Sequence, residues 1–199
     1  KSSALARRFS DEFNRSFHLA GYKERGFTDI KNITDEKFQF ISWQRPNGKI
    51  DLVKLDLNQP ILPCSKQTFT LTYVVKIPDA KFTKFGYTNF GKIVLKNWYL
   101  NPSRYEYKQF IQYSNENLDD IPNAFSDFEI ELELPKKYYV HSNLEEISTI
   151  ELDANKRITL KSKNKSDAII ALELENTYQN FKNEIIEVSC GIEDNKITN

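Results

Sequence analysis

The sequence has no methionine, and its 199 residues include only two cysteines, two histidines, two tryptophans and six glycines. Each shortage excludes something. A zinc hydrolase of the H-E-x-x-H type needs two imidazoles on one helix face. His18 and His141 lie far apart, and neither has Cys, Asp or Glu around it at ligand spacing. His18 reads as the end of a helix, where an imidazolium suits the dipole, and His141 as a strand residue. Six glycines leave no G-x-G-x-x-G or G-x-x-x-x-G-K loop to cradle phosphate, and no G-x-S-x-G elbow is present. Cys64 and Cys190 are distant, so their spacing carries no pairing signal. They read as free or partly buried thiols, and a Cys–His nucleophile pair would have to draw on these same few side chains.

Charge of one sign is missing as well. Lys+Arg and Asp+Glu both number 28, so no bulk field draws the chain to nucleic acid or to an anionic membrane. No apolar run approaches the ~18 residues of a bilayer span, and the start carries no signal-like apolar region. The chain opens on Lys1, without an initiator methionine, which reads as part of a longer polypeptide.

What is present suits a folded domain: 39% apolar and 13% aromatic residues, in a chain long enough to bury roughly 70% of its unfolded surface. Leu5, Phe9, Phe13 and Phe17 recur at i, i+4 and predict one amphipathic helix over 4–20, with Ser2 or Ser3 as cap and Gly21 at its end. After Gly26 the period becomes two. Strands are predicted at Phe27–Ile33, Phe38–Trp43, Ile50–Leu57 and 68–77. The last alternates Phe69, Leu71, Tyr73, Val75 and Ile77 with Thr68, Thr70, Thr72, Val74 and Lys76. Arg45-Pro46-Asn47-Gly48 supplies a turn. Further strands are predicted at Ile93–Tyr99, Phe128–Leu134, Tyr138–His141, Ile147–Leu152, Arg157–Lys161, Ala168–Leu174 and Ile185–Cys190. Asp153-Ala154-Asn155 and Lys163-Asn164-Lys165 read as the turns between some of them. Residues 101–125 read as an ordered excursion, since a long floppy loop inside a compact domain is uncommon. Short strands at this spacing predict a mainly β fold, an antiparallel sandwich or saddle-like open sheet with one N-terminal helix, spanning 1–199 as a single domain with strands over 27–192.

Three constellations carry possible chemistry. Glu129, Glu131 and Glu133 share one strand face about 7 Å apart, a spacing from which a glycosidase pair could be built, although a solvated face is the simpler reading. Asp119 and Asp120 lack the spaced series of oxygen ligands that calcium needs. Segment 82–113 interleaves aromatic with basic residues. Within it Trp98, Tyr99, Tyr105 and Tyr107 are the candidate ligand or interface aromatics: buried they would be core, and as a solvated row they would stack on a glycan or a protein. No catalytic, cofactor or metal residue is assigned.

Several segments, taken in order, resemble the N-terminal β domain of aminopeptidase-N-like zinc metallopeptidases, the gluzincin family, especially the large flavobacterial secreted type. They are Leu5-Ala6-Arg7-Arg8-Phe9 with its helix, Arg25-Gly26-Phe27-Thr28-Asp29-Ile30, and Leu55-Asp56-Leu57-Asn58-Gln59-Pro60-Ile61-Leu62-Pro63 with the strand after it. Leu95-Lys96-Asn97-Trp98-Tyr99-Leu100-Asn101-Pro102 and Phe128–Pro135 with Tyr138-Tyr139-Val140-His141-Ser142-Asn143 complete the set. The resemblance covers most of 4–145 and, more loosely, the strands to Ile192.

It implies a non-catalytic domain that supports a downstream catalytic domain and walls the peptide channel, touching peptide substrate only indirectly. The zinc and the G-x-M-E-N motif would belong to that second domain, and this chain would hold no cofactor. A secreted or periplasmic, cell-envelope location goes with the resemblance. Three departures stand out: the opening strands expected before the helix are missing, Cys64 occupies a place where a turn glycine is usual, and no motif around Gln109 or Gln112 matches the substrate-binding glutamine of some members. The alternative is a freestanding β-sandwich module that binds a glycan or a protein.

Overall fold

Ser3 starts the first helix: its hydroxyl accepts from the Ala6 amide at 3.2 Å, capping α1 (Ala4–Asp11). The 4–20 helix breaks there. Phe13 takes a left-handed φ of 57°, and the amides of Phe13 and Asn14 turn back to Ser10 and Phe9 at 3.0 and 2.8 Å. This is a Schellman closure with phenylalanine in the usual glycine place. Asn14 then accepts from the Ser16 amide at 3.0 Å and opens the single turn α2 (Ser16–Leu19). The break removes Phe13 from the apolar stripe and leaves it 95% exposed. Phe9 and Phe17 still meet, with ring centres 5.3 Å apart, and Phe17 packs on Phe82 at 5.4 Å.

The structure, a computed structural model, describes residues 3–112 and 123–191. Strand accounts for 45% of it and helix for 7%, so the fold is mainly β, in open antiparallel sheets without a closed barrel. The chain divides into two compact units, 1–82 with 101–123, and 83–100 with 124–199. No helix among the described residues is long and apolar enough to cross a membrane.

In the first unit β1 (Phe27–Asp35) pairs antiparallel with β4 (Phe69–Lys76). A bulge between Ile30 and Asn32 sets Ile30 opposite Tyr73 and Ile33 opposite Leu71, so both isoleucines reach one face despite their odd spacing. β4 alternates as predicted, yet Phe69, Leu71 and Tyr73 stop at half-buried. The predicted strand 38–43 shrinks to β2 (Ser42–Gln44). Asp35 accepts from the amides of Lys37 and Gln39 at 2.9 Å each, and Phe38 sits at φ 61°, so the chain turns over 36–39 before Phe40 bridges back to Thr34. The predicted strand 50–57 reduces to β3 (Lys54–Asp56), because the turn at Pro46–Lys49 continues to Leu52. β7 (Tyr105–Glu106) and β8 (Gln109–Phe110) form a hairpin in the excursion. Its Tyr107 and Lys108 are both left-handed, as a type I′ turn requires. Asp119 and Asp120 lie outside the described residues.

The second unit holds the larger core. β5 (Gly86–Tyr87), β6 (Ile93–Leu95), β10 (Tyr139–Ser142) and β13 (Ile170–Glu173) form one sheet in the order β10-β13-β6-β5. β9 (Ser126–Pro135), β11 (Glu145–Glu151) and β12 (Asn155–Lys165) form another, ordered β11-β12-β9. Leu134, Ile158 and Leu160 from one sheet and Ile170 from the other meet in one buried cluster with Leu144 and Ala168. The turn predicted at 163–165 is not formed: β12 runs through it. Asn164 takes φ 54° and its amide donates to Asp127 Oδ1 at 3.1 Å, which makes the three residues a bulge in the pairing with β9. The predicted strand 93–99 ends at Leu95, because Asn97 at φ 52° turns Trp98 and Tyr99 out of the sheet. The final hairpin pairs β14 (Tyr178–Lys182), which the sequence pattern does not predict, with β15 (Glu187–Gly191).

Candidate functional site

The one buried acidic side chain among the described residues sits at a position that no sequence motif marks. Glu173, the last residue of β13, is 4% exposed. The Lys92 ammonium lies 2.7 Å from its Oε1, and the Thr177 hydroxyl donates to its Oε2 at 2.6 Å. Burial pushes this carboxyl up. The ion pair with Lys92 and the hydrogen bond from Thr177 outweigh it and hold the group below the ordinary carboxylate value.

His141 on β10 faces the same cluster. Its ring stacks on Tyr178 with centres 4.0 Å apart and planes 13° apart. Its Nε2 is buried with no hydrogen-bond partner among the described residues. Burial lowers its pKa; Glu173 pulls it up and Lys92 pushes it down further, leaving the imidazole below its ordinary value and neutral at neutral pH. Lys92 also lies 5.8 Å from the centre of the Tyr178 ring. On β15, Gly191 stands opposite Tyr178, and a Cβ there would come within 3.0 Å of the ring. Chemically the cluster is a joint: it fastens the base of the β14–β15 hairpin to the β10-β13-β6-β5 sheet by a stack and a shared carboxylate.

The predicted aromatics are divided between the two units. Trp98 and Tyr99 are half-buried in the second unit. The Trp98 indole donates to the Ala168 carbonyl at 3.3 Å, and the Tyr99 hydroxyl lies 3.1 Å from Asp167 Oδ1. Tyr99 packs edge-on against Phe128 with centres 5.6 Å apart. Both therefore close the core. Tyr105 and Tyr107 belong to the first unit's β7–β8 hairpin, where Tyr107 is 94% exposed and Tyr105 meets Phe110 at 5.0 Å.

The acidic face of β9 is present, and its carboxylates are tied to β12. Lys161 reaches Glu129 at 3.0 Å, and Arg157 reaches Glu133 at 2.9 Å and Glu131 at 3.5 Å. The hydrogen bond from Arg157 holds Glu133 below its ordinary value, the reverse of what a general acid requires. His18 Nε2 lies 2.9 Å from the Ala6 carbonyl. Cys64 and Cys190 are free and exposed, and Cys64 sits at φ 61°, in a conformation that favours glycine. Among the described residues no three His, Cys, Asp or Glu side chains gather as metal ligands.

Sequence reasoning missed Lys92, Glu173, Thr177 and Tyr178. A signal existed: Glu173 interrupts the apolar run Ile169-Ile170-Ala171-Leu172, and a lone charge in such a run is buried only if paired. No family model, no curated protein and no solved structure matches the chain.

Proposed function

We propose that this chain is a non-catalytic β-rich region that packs against another domain and positions it, as the N-terminal β domain of an aminopeptidase-N-like zinc metallopeptidase supports its catalytic domain and walls the peptide channel. The observation that carries this reading is uncovered apolar surface on strands. In the β14–β15 hairpin Phe181 pairs with Val188, and both are exposed together with Ile186. Ile147 and Ile150 of β11 are exposed too. A two-stranded hairpin is marginal in water by itself, and contiguous exposed apolar residues mark surfaces that another protein layer covers. In this reading the partner is the downstream catalytic domain, zinc belongs to that domain, and the parent is secreted or periplasmic.

Two tests bear on it. Incubated with zinc and aminoacyl chromogenic substrates, the purified chain is expected to show no turnover; turnover that survives repurification overturns the reading. The coding sequence beyond Asn199 is expected to contain H-E-x-x-H, and a frame that closes without it removes the peptidase connection.

A second reading, a module that binds a glycan or a protein, is favoured by the β7–β8 hairpin, which presents Tyr105, Tyr107 and Phe110 to solvent. Saturable binding to a glycan array, abolished by Tyr107→Ala, would select it over the first.

A further inference from the structure

We propose that the His141–Tyr178 stack is a pH-operated latch, which docks the β14–β15 hairpin on its sheet while the imidazole is neutral and releases it on protonation. The geometry is specific. Tyr178 is the first residue of the hairpin and is held between the His141 ring at 4.0 Å on β10 and Gly191 on the paired strand. The Thr177 hydroxyl on Glu173 is a further tie at this point, beside the Lys92 ammonium 5.8 Å from the Tyr178 ring centre.

The groups facing His141 are Glu173 at the end of β13, Lys92 just before β6, and Tyr178 itself. The imidazolium carries an N–H on both ring nitrogens, and the buried Nε2 has no hydrogen-bond partner among the described residues. Glu173 is already engaged by Lys92 at 2.7 Å and by Thr177 at 2.6 Å, and the Lys92 charge opposes a second cation nearby. The Tyr178 face attracts an imidazolium, but it does not replace the missing acceptor. Swinging the hairpin away rehydrates the ring, so the undocked state takes up the proton more readily. Because the docked imidazole titrates below its ordinary value of 6.5, docking is fully present above that value and is lost as pH falls through the window beneath it.

NMR on the intact chain tests this between about pH 8 and about pH 5, on either side of the ordinary imidazole value. Cross-peaks between the His141 and Tyr178 rings and the ring-current shift at Gly191 are expected at the higher pH. They are expected to fall several-fold at the lower pH, in step with the imidazole's own titration, while methyl signals of Ile158 and Ile170 stay unchanged. His141→Phe keeps a ring on Tyr178 without a titratable nitrogen, and its Gly191 shift is expected to be the same at both ends. Lys92→Gln removes the opposing cation and is expected to raise the pH at which the imidazole titrates. Ring contacts that persist once His141 is protonated overturn the latch. So does a Gly191 shift that collapses equally in His141→Phe, or a loss of core methyl signals together with the ring contacts.

Discussion

The two units of this protein use the same alternating strands and arrive at different interiors. In the first, the buried apolar positions are Ala4, Ala6, Ala20 and Ala80 with three isoleucines, Ile30, Ile33 and Ile41. In the second, Leu134, Leu144, Ile158, Leu160 and Ile170 form one contiguous cluster with aromatic and aliphatic neighbours. β4 and β9 make the contrast local. Both alternate strictly, and most inward residues of both stay half-buried, Phe69, Leu71 and Tyr73 on β4 as well as Phe128, Ile130 and Leu132 on β9; of these two sets only β9 adds a buried residue, Leu134, at its end. Alternation decides which side of a strand is apolar. A second layer decides whether that side leaves water, and in the second unit the β11-β12-β9 and β10-β13-β6-β5 sheets share one buried cluster.

Core truncation is the strongest way to break the comparison. Ile158→Ala or Leu160→Ala should cost about 2–5 kcal/mol in chemical denaturation. Ile33→Ala should fall at the low end of that range, because its half-exposed surroundings relax around the gap. Equal costs would remove the distinction between the two interiors.

The buried charge comes next. Glu173→Ala strands Thr177 and leaves Lys92 without its carboxylate, and should cost about 1–3 kcal/mol, an effect with no counterpart in the first unit among the described residues. The wild-type carboxyl titrates below its ordinary value of 4.5, so its contribution is present above that value and is lost as pH falls through the docked value. A denaturation series at falling pH should show this loss in the wild type and not in Glu173→Gln.

A smaller effect, of opposite sign, is expected at the helix break. Phe13→Gly relieves a left-handed residue whose ring is solvated, and should stabilise by about 1 kcal/mol. Thermal midpoints would show it, and a destabilised variant would mean that the Phe13 ring has a packing role. Smallest is the β9–β12 charge ladder. Glu133→Gln should leave the denaturation midpoint unchanged within error, as exposed cross-strand pairs do; a clear loss of stability would give the ladder an architectural role.

Much of the strand framework was legible because period-two patterning is local. β1, β4, β9 and the β11–β12 hairpin stand close to where alternation and the Asp153-Ala154-Asn155 turn place them. The errors cluster at left-handed residues that are not glycine: Phe13, Phe38, Asn97 and Asn164. At Phe13, Phe38 and Asn97 the chain bends where the apolar pattern runs on, whereas at Asn164 the turn signal is absorbed as a bulge inside β12, held by Asp127. β14 was missed because Tyr-Gln-Asn-Phe-Lys has no alternating apolar face.

The candidate joint was hidden for a different reason. Lys92, His141, Glu173 and Tyr178 come from four segments whose meeting depends on the order β10-β13-β6 and on a hairpin that follows it. The amino-acid order alone determined a mainly β chain of balanced charge, with apolar strand sides and very few side chains suited to binding a transition metal. Tertiary structure decided which apolar sides found cover, which aromatics became core, and that the Glu173 carboxylate would be buried beside an imidazole. Patterning acts along the chain and burial acts across it: a side chain's solvation depends on neighbours that its own segment does not contain.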